Sequence, residues 1–378
     1  MSATAYLDYN ASTPIKPAVA QAVTQALRLA GNPSSLHRPG QAARRAVEQA
    51  RAQVAGLIGA GADEIVFTSG GSEANNLALG AARAAGCRLL VSAVEHDSVR
   101  LAAGPEAAVI GVDGNGVIDL EALAAELSRD EGPALLSLML ANNETGVIQP
   151  VAEAAAMAHG HGALVHCDAI QAPGRLAFDV TELGVDMLSL SAHKLGGPMG
   201  SGALMVRRGL ALAPQIVGGG QELGRRAGSE NLPGIVGFGA AAELAADDLA
   251  AAGALAALRD HLEERLRAIS PDIRIHGGAA ARLGNTSCFG LAGLTSEVQV
   301  MALDLEGICV SAGAACSSGK LAPSQVLAAM GVKPTDAAAA IRVSLGWQTR
   351  EADIDRLLEA WSALRLRVME GAAQRSAA

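Results

Sequence analysis

A cysteine in a stretch of small residues is the first candidate for chemistry in this sequence. Cys316 stands in SAGAACSSGK, residues 311–320, whose Ser, Ala and Gly content favours neither a core strand nor a regular helix. A free cysteine is usually buried among apolar side chains. A thiol in a stretch of this kind either serves its reactivity, which belongs to the thiolate form, or has no role, and the rest of the sequence must decide between the two.

A lysine beside a histidine is the second candidate. His193 and Lys194 follow the apolar run LSLSA and precede a glycine-rich turn. Ligands bind at the carboxyl ends of parallel strands, and a lysine at such an end can form a Schiff base with a carbonyl cofactor. A solvated surface lysine after a strand gives the same local pattern, so this motif alone does not decide between them.

A carboxylate and a glycine-rich helix start follow two other apolar runs. Asp168 ends the run ALVHCD, with Gln171 just beyond, and could hold a pyridine nitrogen protonated so that the ring withdraws electrons. Gly71 and Ser72 follow EIVFTSG, where helix N–H groups and a hydroxyl can bind phosphate. A helix N-cap at Asp168 and a capping box at Ser72 are the alternatives.

A histidine and a pair of amides complete the set. His96 follows another apolar run in SAVEHDSVR, and Asn143 lies in ANNETGVIQP. A lone histidine is often structural, and adjacent amides can be plain turn chemistry. Taken together, the motifs place a lysine, a carboxylate, a histidine, amides and a phosphate cradle after successive strands. One site for a phosphorylated pyridine aldehyde accounts for all of them.

The elements that carry these motifs alternate along the chain. Between about residues 60 and 240, short and almost continuously apolar runs alternate with Ala-rich helical stretches. This pattern predicts an α/β domain with a mainly parallel sheet buried on both faces. After about residue 240 a long helix, predicted for 239–269, and shorter elements indicate a smaller α+β domain. We therefore expect a large domain over 16–239 and a small one formed by 1–15 and 240–378.

Composition narrows the class of protein. The chain has 378 residues and a net charge of −9, which argues against non-specific binding to nucleic acid or anionic membranes. Its 5 cysteines include no CxxC pair, so neither a disulfide framework nor a cysteine-based zinc site is expected. The sequence shows no basic segment followed by an apolar run near residue 1, as a signal peptide would have. It also contains no apolar stretch long enough to span a membrane. These features favour a cytoplasmic protein.

The chain resembles the pyridoxal-phosphate-dependent cysteine desulfurases of the NifS/IscS type, in the class V aminotransferase family. The resemblance runs from YLDYNASTP and GNPSSLH to IRVSLGWQT, with the segments in the family's order. It implies fold type I, a homodimer, pyridoxal 5'-phosphate and L-cysteine as substrate. It also implies sulfur-acceptor or scaffold proteins as partners, for example in iron–sulfur cluster assembly, but the sequence does not identify the acceptor.

The resemblance gives each motif a role. Lys194 would hold the cofactor aldehyde, His96 would stack on the ring and act as acid or base, Asp168 would pair with the ring nitrogen and Gln171 with the ring hydroxyl. Phosphate contacts would come from Gly71, Ser72, Ser191 and His193, and from Ser229 across a subunit interface. Asn143 and Arg342 would bind the substrate carboxylate, and Cys316 would accept the sulfur as a persulfide. The family often has Thr at the positions of Ser72 and Ser229, and Gly at that of Ala192.

Other functions remain open at this point. A selenocysteine lyase or another class V aminotransferase would use the same lysine, aspartate and histidine, although an aminotransferase has no need of Cys316. A non-catalytic scaffold that binds sulfur carriers would need neither this lysine, aspartate and histidine nor Cys316. The remaining cysteines, Cys87, Cys167, Cys288 and Cys309, lie in or beside apolar patterns and are expected to be inert.

Overall fold

A computed structural model describes residues 4–129, 132–312 and 324–377. The strands are β1 (Ala5–Tyr6), β2 (Ile65–Thr68), β3 (Arg88–Ser92), β4 (Ala108–Ile110), β5 (Ala134–Ser137), β6 (Leu164–Asp168), β7 (Met187–Ser191), β8 (Gly202–Val206), β9 (Arg274–Ile275), β10 (Thr286–Gly290), β11 (Ile308–Cys309), β12 (Ser311–Ala312) and β13 (Ala340–Ser344). The α-helices are α1 (Pro17–Ala26), α2 (Arg38–Ile58), α3 (Gly71–Ala84), α4 (Asp97–Ala103), α5 (Leu120–Leu127), α6 (Val151–Gly160), α7 (Val180–Leu183), α8 (Leu232–Glu243), α9 (Ala245–Ile269), α10 (Ser296–Leu305), α11 (Gln325–Ala329), α12 (Pro334–Ala337) and α13 (Glu351–Ala377).

A mainly parallel sheet of seven strands forms the centre of the larger part of the molecule. Its strand order is β2-β8-β7-β6-β5-β3-β4, and β8 runs antiparallel to both of its neighbours. Each of its seven strands lies within a short apolar run of the sequence between residues 64 and 208. Most of their residues are buried because helices cover both faces, which is why the runs are continuous rather than alternating in polarity. The α/β prediction is confirmed.

A second sheet lies in the C-terminal part of the chain. It is antiparallel, with the order β12-β13-β10-β9, and β1 pairs separately with β11. Its core includes Phe289 and Trp361, whose rings meet edge to face at 6.1 Å between centroids. The N-terminal segment that follows β1 joins both sheets: Asp8 forms a bridge with Ser344 of β13, and Asn10 accepts a hydrogen bond from Lys194, just beyond β7.

The long helix predicted for 239–269 is wrong in one respect. The chain forms two helices here, and the division falls at Leu244 (φ −79°, ψ −8°). Helix α8 is apolar nearly all round and packs against α1 and α2, whereas α9 packs against α13. A single straight helix could not meet both sets of partners, so tertiary packing overrides the continuous helical propensity of the sequence. Within the described residues, no helix is both long and apolar enough to cross a membrane.

Candidate active site

A cavity of about 320 Å³ lies at the carboxyl ends of the parallel strands. It brings together nine of the predicted site residues: Gly71, Ser72, His96, Asn143, Asp168, Gln171, Ser191, His193 and Lys194. Sequence positions 71 to 194 converge in this way because β2, which precedes Gly71, runs in the same direction as the parallel strands β3, β5, β6 and β7, and all five end at one edge of the sheet. Their proximity is what one shared site requires.

The start of α3 forms one wall of the cavity. Helix α3 begins at Gly71 without a side-chain cap, so the N–H groups of its first turn face the position where an anion would lie. A Cβ at Gly71 would lie 2.1 Å from Cδ1 of Ile170, another cavity residue. Glycine therefore allows the backbone to approach the cavity closely. Ser72 adds a hydroxyl beside it.

Ser191 and His193 line the same cavity from the turn after β7. Burial, helped by the charges of Lys194 and Arg175, lowers the pKa of His193 to about 4. His193 is therefore a neutral imidazole at physiological pH. It can donate one hydrogen bond to an anion without adding a positive charge, which leaves positive charge to the nearby lysine and arginine.

Lys194 enters the cavity from the short 3-10 turn that follows β7. Its Nζ donates hydrogen bonds to the carbonyl oxygens of Asn10 (2.5 Å) and Ala11 (2.9 Å). Both carbonyls belong to the segment YNAST, which the sequence motifs had not connected with the lysine. These contacts hold the amine at the cavity wall. Lys194 is therefore not the solvated surface lysine that the local sequence pattern also allowed.

Asp168 is buried at the end of β6. One carboxylate oxygen accepts from the backbone N–H of Ile170 at 3.0 Å, and the other accepts from Nδ2 of Asn75 at 2.7 Å. The alternative of a helix N-cap does not apply, because no helix begins at Asp168 in the described chain. The carboxylate instead has fixed partners and lies on the cavity wall, as a group that must face one ring atom would.

Gln171 lies one turn beyond Asp168. Its Nε2 donates to the carbonyl of Asn10 at 3.0 Å, and its Oε1 accepts from Arg175. Arg175 also donates to the side-chain oxygen of Asn10 at 3.0 Å. Burial, reinforced by the charge of Arg342, lowers the pKa of Arg175 to about 10, which still leaves it protonated at neutral pH. A cation behind Gln171 therefore supplies positive charge to this side of the cavity.

His96 is the N-cap residue of α4. Its Nδ1 accepts a hydrogen bond from the backbone N–H of Ser98 at 3.1 Å and lies 2.8 Å from the Ser98 hydroxyl. Because a backbone N–H can only donate, the neutral ring carries its proton on Nε2. The contacts of Nδ1 with Ser98 therefore fix both the tautomer and the orientation of the imidazole ring.

Arg342 does not line the cavity, although its predicted partner Asn143 does. The guanidinium is buried on β13, with 2% of the residue exposed. Nη2 donates to the Asp8 carboxylate at 2.7 Å and Nη1 to the backbone carbonyl of Asn143 at 3.0 Å, whereas Nε has no partner among the described residues. The structure therefore brings Arg342 next to the site but pairs its charge with Asp8.

Cys316 lies outside the described residues, so its predicted role stays a prediction. Two serines close to the neighbouring described ends of the chain, Ser311 and Ser324, are anchored by carboxylates. Ser311 donates to Asp8 at 2.8 Å, and Ser324 donates to Glu144 at 2.6 Å. Burial raises the pKa of Glu144 to about 7, against the opposing effects of the Ser324 hydroxyl and the Arg342 charge.

The four other cysteines have the environments expected from their patterns. Cys167 and Cys288 are buried, and Cys87 and Cys309 are partly buried. Burial raises the pKa of all four thiols above the ordinary value. Since the thiolate is the nucleophile, these four are poor candidates for covalent chemistry.

Ser229 is exposed and does not line the cavity of its own chain. The segment before it, 220–228, is nevertheless held firmly. Glu222 has φ 48° and Leu223 φ 57°, a left-handed conformation that non-glycine residues rarely adopt. Glu222 accepts from two Arg51 nitrogens at 2.6 and 2.8 Å, and this ion pair offsets the backbone strain.

A second ion pair connects that segment with the start of α3. Arg226 Nε donates to Glu73 at 2.8 Å, and Glu73 follows Ser72 in the first helical turn. Arg226 and the backbone N–H of Ser69 lower the pKa of Glu73 against the effect of its burial. The segment that carries Ser229 is therefore fixed relative to the anion-facing helix terminus, although Ser229 itself points to the surface of the protomer.

Sequence reasoning missed several residues of this site. Asn75 is fully buried on α3, and a polar residue at an inward-facing helical position was a usable signal. Glu95 is fully buried as well, and burial, followed by the charge of Asp168, raises its pKa well above the ordinary value. Its Oε1 accepts from the backbone N–H of Met139 at 2.7 Å.

A second cavity, of about 250 Å³, also touches Lys194. Its other walls come from Arg175, Asp248, Trp347 and mainly apolar side chains of α9. It contains neither His96 nor Asp168, nor the start of α3. The larger cavity is therefore the one in which the predicted groups meet.

Comparison with known proteins decides the family. The class-V aminotransferase family model matches residues 5–357. A curated cysteine desulfurase of Cereibacter sphaeroides is 49% identical over 366 residues, covering 94% of both chains. The chain belongs to the cysteine desulfurases of the class V aminotransferase family. The family prediction is confirmed.

Solved structures of family members agree with the fold. The X-ray structure of a NifS-like protein from Rickettsia africae superposes with a TM-score of 0.89 at 34% identity and covers 96% of this chain and 99% of that one. The structure of SspA in complex with cysteine superposes with a TM-score of 0.78 at 31% identity and covers 90% of this chain and 98% of that one. The fold type I prediction is confirmed by these family structures.

Proposed function

We propose that this class V family member is a pyridoxal-phosphate-dependent cysteine desulfurase that removes sulfur from L-cysteine, leaves alanine, and passes the sulfur through Cys316 to an acceptor protein. The observation that carries the proposal is the cavity that unites Lys194, His96 and Asp168 at the carboxyl edge of the sheet. The named activity of the relatives supports the same reaction.

The residues present fit pyridoxal phosphate. Lys194 would hold the aldehyde, Asp168 the ring nitrogen and Gln171 the ring hydroxyl, and the start of α3 with Gly71 offers N–H groups to the phosphate. A Cβ at Gly71 would collide with the Ile170 side chain, so glycine here leaves the backbone free to approach a phosphate closely. When bound, the cofactor supplies an electron sink that weakens bonds at the substrate Cα and Cβ.

The chain's own groups supply binding and proton transfer. Arg342 would bind the substrate carboxylate together with Asn143. Asp8 would give up part of its contact with the guanidinium when substrate arrives, because Nη1 and Nη2 already donate to the Asn143 carbonyl and to Asp8. His96 would move a proton at Nε2, since Nδ1 is held by Ser98. His193 stays neutral and would orient phosphate by hydrogen bonding.

Cys316 would take the sulfur. Its thiolate would attack the substrate sulfur, a sulfur–sulfur bond would form, and the bond between that sulfur and Cβ would break. The carbon skeleton would leave as alanine after protonation, and the persulfide would remain on Cys316. The raised pKa values of the four other thiols support this choice by making them weak nucleophiles.

A homodimer would complete the phosphate site. Ser229 is exposed, yet its segment is fixed by the Arg226–Glu73 and Arg51–Glu222 pairs. An exposed hydroxyl on a rigidly held segment is suited to contact a neighbouring subunit's phosphate. A monomer that is fully active at low concentration would refute the dimer. A cytoplasmic location, supported by the cysteine composition, belongs to the same proposal.

Single turnover with sulfur-labelled L-cysteine tests the proposal. We expect alanine in equal amount to enzyme-bound label, and the label on a peptide that contains Cys316. Cys316→Ala should keep the visible absorbance of the bound cofactor and should lose alanine formation from cysteine. Cys309→Ala is the matched control and should behave as the native protein.

The outcomes separate the rival functions. Label on Cys309 or Cys288, or normal turnover by Cys316→Ala, would contradict the assignment of the acceptor thiol. Turnover of selenocysteine without turnover of cysteine would identify a selenocysteine lyase. Absence of visible absorbance after loading with pyridoxal phosphate would leave only a sulfur-carrier scaffold.

A further inference from the structure

A buried amide links two of the groups that face the cavity. Asn75 lies on α3, four residues after Gly71 and hence on the same face of the helix. It is 0% exposed. Its Nδ2 donates to Asp168 Oδ2 at 2.7 Å and to the Ser98 hydroxyl oxygen at 2.8 Å. Both hydrogens of one amide nitrogen are thus used.

The direction of this amide is forced by its partners. A carboxylate oxygen accepts hydrogen bonds, so exchange of the amide nitrogen and oxygen would place two acceptors 2.7 Å apart at Asp168. In the orientation that satisfies Asp168, Oδ1 of Asn75 has no partner within the described chain. An unmet buried acceptor costs folding stability, so packing alone does not explain an amide at this position.

The link continues from Ser98 to His96. Because Asn75 donates to the Ser98 oxygen, the Ser98 hydroxyl hydrogen is available to Nδ1 of His96, 2.8 Å away. The backbone N–H of Ser98 donates to the same Nδ1. The sequence of contacts runs Asp168–Asn75–Ser98–His96 and connects a carboxylate on β6 to an imidazole at the start of α4.

We propose that Asn75 is a positioning residue that orients Asp168 and His96 together for the reaction. This inference rests on the proposed function, in which Asp168 faces the ring nitrogen and His96 transfers a proton. One amide sets the direction of the carboxylate through its short hydrogen bond. By orienting the Ser98 hydroxyl, it also sets the second hydrogen bond that holds Nδ1 of the imidazole. Neither group can shift without disturbing the other.

Three variants separate this role from simple packing. Asn75→Leu keeps the branched shape and removes both donors. Ser98→Ala cuts the link beyond Asn75 and leaves the Asp168 contact in place. Asn76→Leu is the matched control, because Asn76 is the neighbouring amide on the same helix, is exposed, and donates to the backbone carbonyl of Ser72.

The first measurement needs no cofactor. Nitrogen-15 NMR of the histidine rings in the protein without cofactor, with the His96 signals assigned by His96→Gln, reports which ring nitrogen carries the proton. We expect a single tautomer with the proton on Nε2 in the native protein and in Asn76→Leu. In Asn75→Leu and in Ser98→Ala, the backbone N–H of Ser98 still donates to Nδ1 and keeps the proton on Nε2. The hydroxyl contact is misdirected or lost, so the His96 Nδ1 signal should shift from its native position toward that of a more weakly hydrogen-bonded nitrogen.

The second measurement uses the loaded protein. With pyridoxal phosphate labelled at the ring nitrogen, the nitrogen-15 shift should change in Asn75→Leu and stay at the native value in Ser98→Ala and Asn76→Leu. For L-cysteine turnover, kcat of Asn75→Leu should fall roughly 10- to 100-fold, the loss expected for one hydrogen bond to a charged group. KM should change less than about threefold, because Asn75 lies away from Arg342.

The results distinguish failure of this inference from failure of the proposed function. If Asn75→Leu keeps the native His96 and ring-nitrogen signals and the native kcat, the amide only packs α3 and the inference is overturned. If Asn75→Leu does not fold, the Ser98→Ala result decides: an unchanged His96 Nδ1 signal overturns the link. If native protein does not turn over cysteine, the proposed function fails, and the His96 spectra of the protein without cofactor still test the link.

Discussion

Glu144 should make the stability of this protein depend on pH in a way that one substitution removes. The carboxyl group is buried, and its pKa is raised from 4.5 to about 7. In the unfolded chain the group ionises near its ordinary value. The contribution of Glu144 to the free energy of unfolding is therefore fully present below about pH 4.5, and it is lost as the pH rises through about 7.

The magnitude follows from the two pKa values. At about 1.4 kcal/mol per pH unit, the rise from 4.5 to about 7 amounts to about 3 kcal/mol of unfolding free energy above pH 7. About 2 kcal/mol of this loss falls between about pH 5.5 and pH 8. Glu144→Gln keeps the volume and still accepts the Ser324 hydrogen bond, but it cannot ionise, so this part of the pH dependence should disappear.

Urea unfolding of both proteins at about pH 5.5 and pH 8 provides the assay. The free energy of unfolding of Glu144→Gln minus that of the native protein should increase by about 2 kcal/mol from the lower to the higher pH. Other buried acids, such as Glu95, are present in both proteins and cancel in this difference. Glu153→Gln changes an exposed glutamate and should give a difference that does not vary with pH.

Parallel stability curves for the native protein and Glu144→Gln would refute this reasoning. They would show that Glu144 is ionised in the folded protein across the whole range, with the Arg342 charge outweighing the effect of burial. A difference that falls with rising pH would mean that the sign is wrong and that the ionised carboxylate is favoured by folding.

Three further substitutions test the site itself. Lys194→Ala should abolish the visible absorbance of the bound cofactor and the activity; an absorbance that borohydride can still trap would identify another anchor. Asp8→Asn should lower the KM for cysteine severalfold, because the carboxylate that competes for Arg342 (2.7 Å) is gone, and an unchanged or higher KM in steady-state assays would contradict this competition. Gly71→Ala should weaken cofactor binding, measured by equilibrium dialysis, because its Cβ would lie 2.1 Å from Ile170 and push that side chain into the cavity; native affinity would show that the wall adapts.

Much of this fold could be predicted because burial leaves a clear pattern in the sequence. A strand such as β5, buried on both faces, is continuously apolar, and polar residues such as Asp168 mark where a strand ends. The parallel arrangement then brings strand ends together without any further information. The break at Leu244 could not be predicted in this way, because the local sequence continues to favour helix and only the separate partners of α8 and α9 require two helices.

The partners of the site residues were harder to predict because they are distant in sequence and often belong to the backbone. Lys194 is held by the carbonyls of Asn10 and Ala11, 184 and 183 residues away, and every residue has a carbonyl. Arg342 pairs with Asp8 across 334 residues, and an aspartate near the N-terminus is no signal by itself. Motifs identify groups that can react, whereas the tertiary fold decides which charges they meet.

That distinction matters most at Arg342. A buried guanidinium without an anion would be costly, so the fold supplies Asp8 as the partner of Arg342, and Asp8 in turn accepts from Ser311 at 2.8 Å. A substrate carboxylate would enter a site whose positive charge is already balanced, and the affinity for substrate would be the difference between two carboxylate contacts rather than the strength of one. For this reason the KM of Asp8→Asn is more informative than that of an Arg342 variant, which would remove both contacts at once.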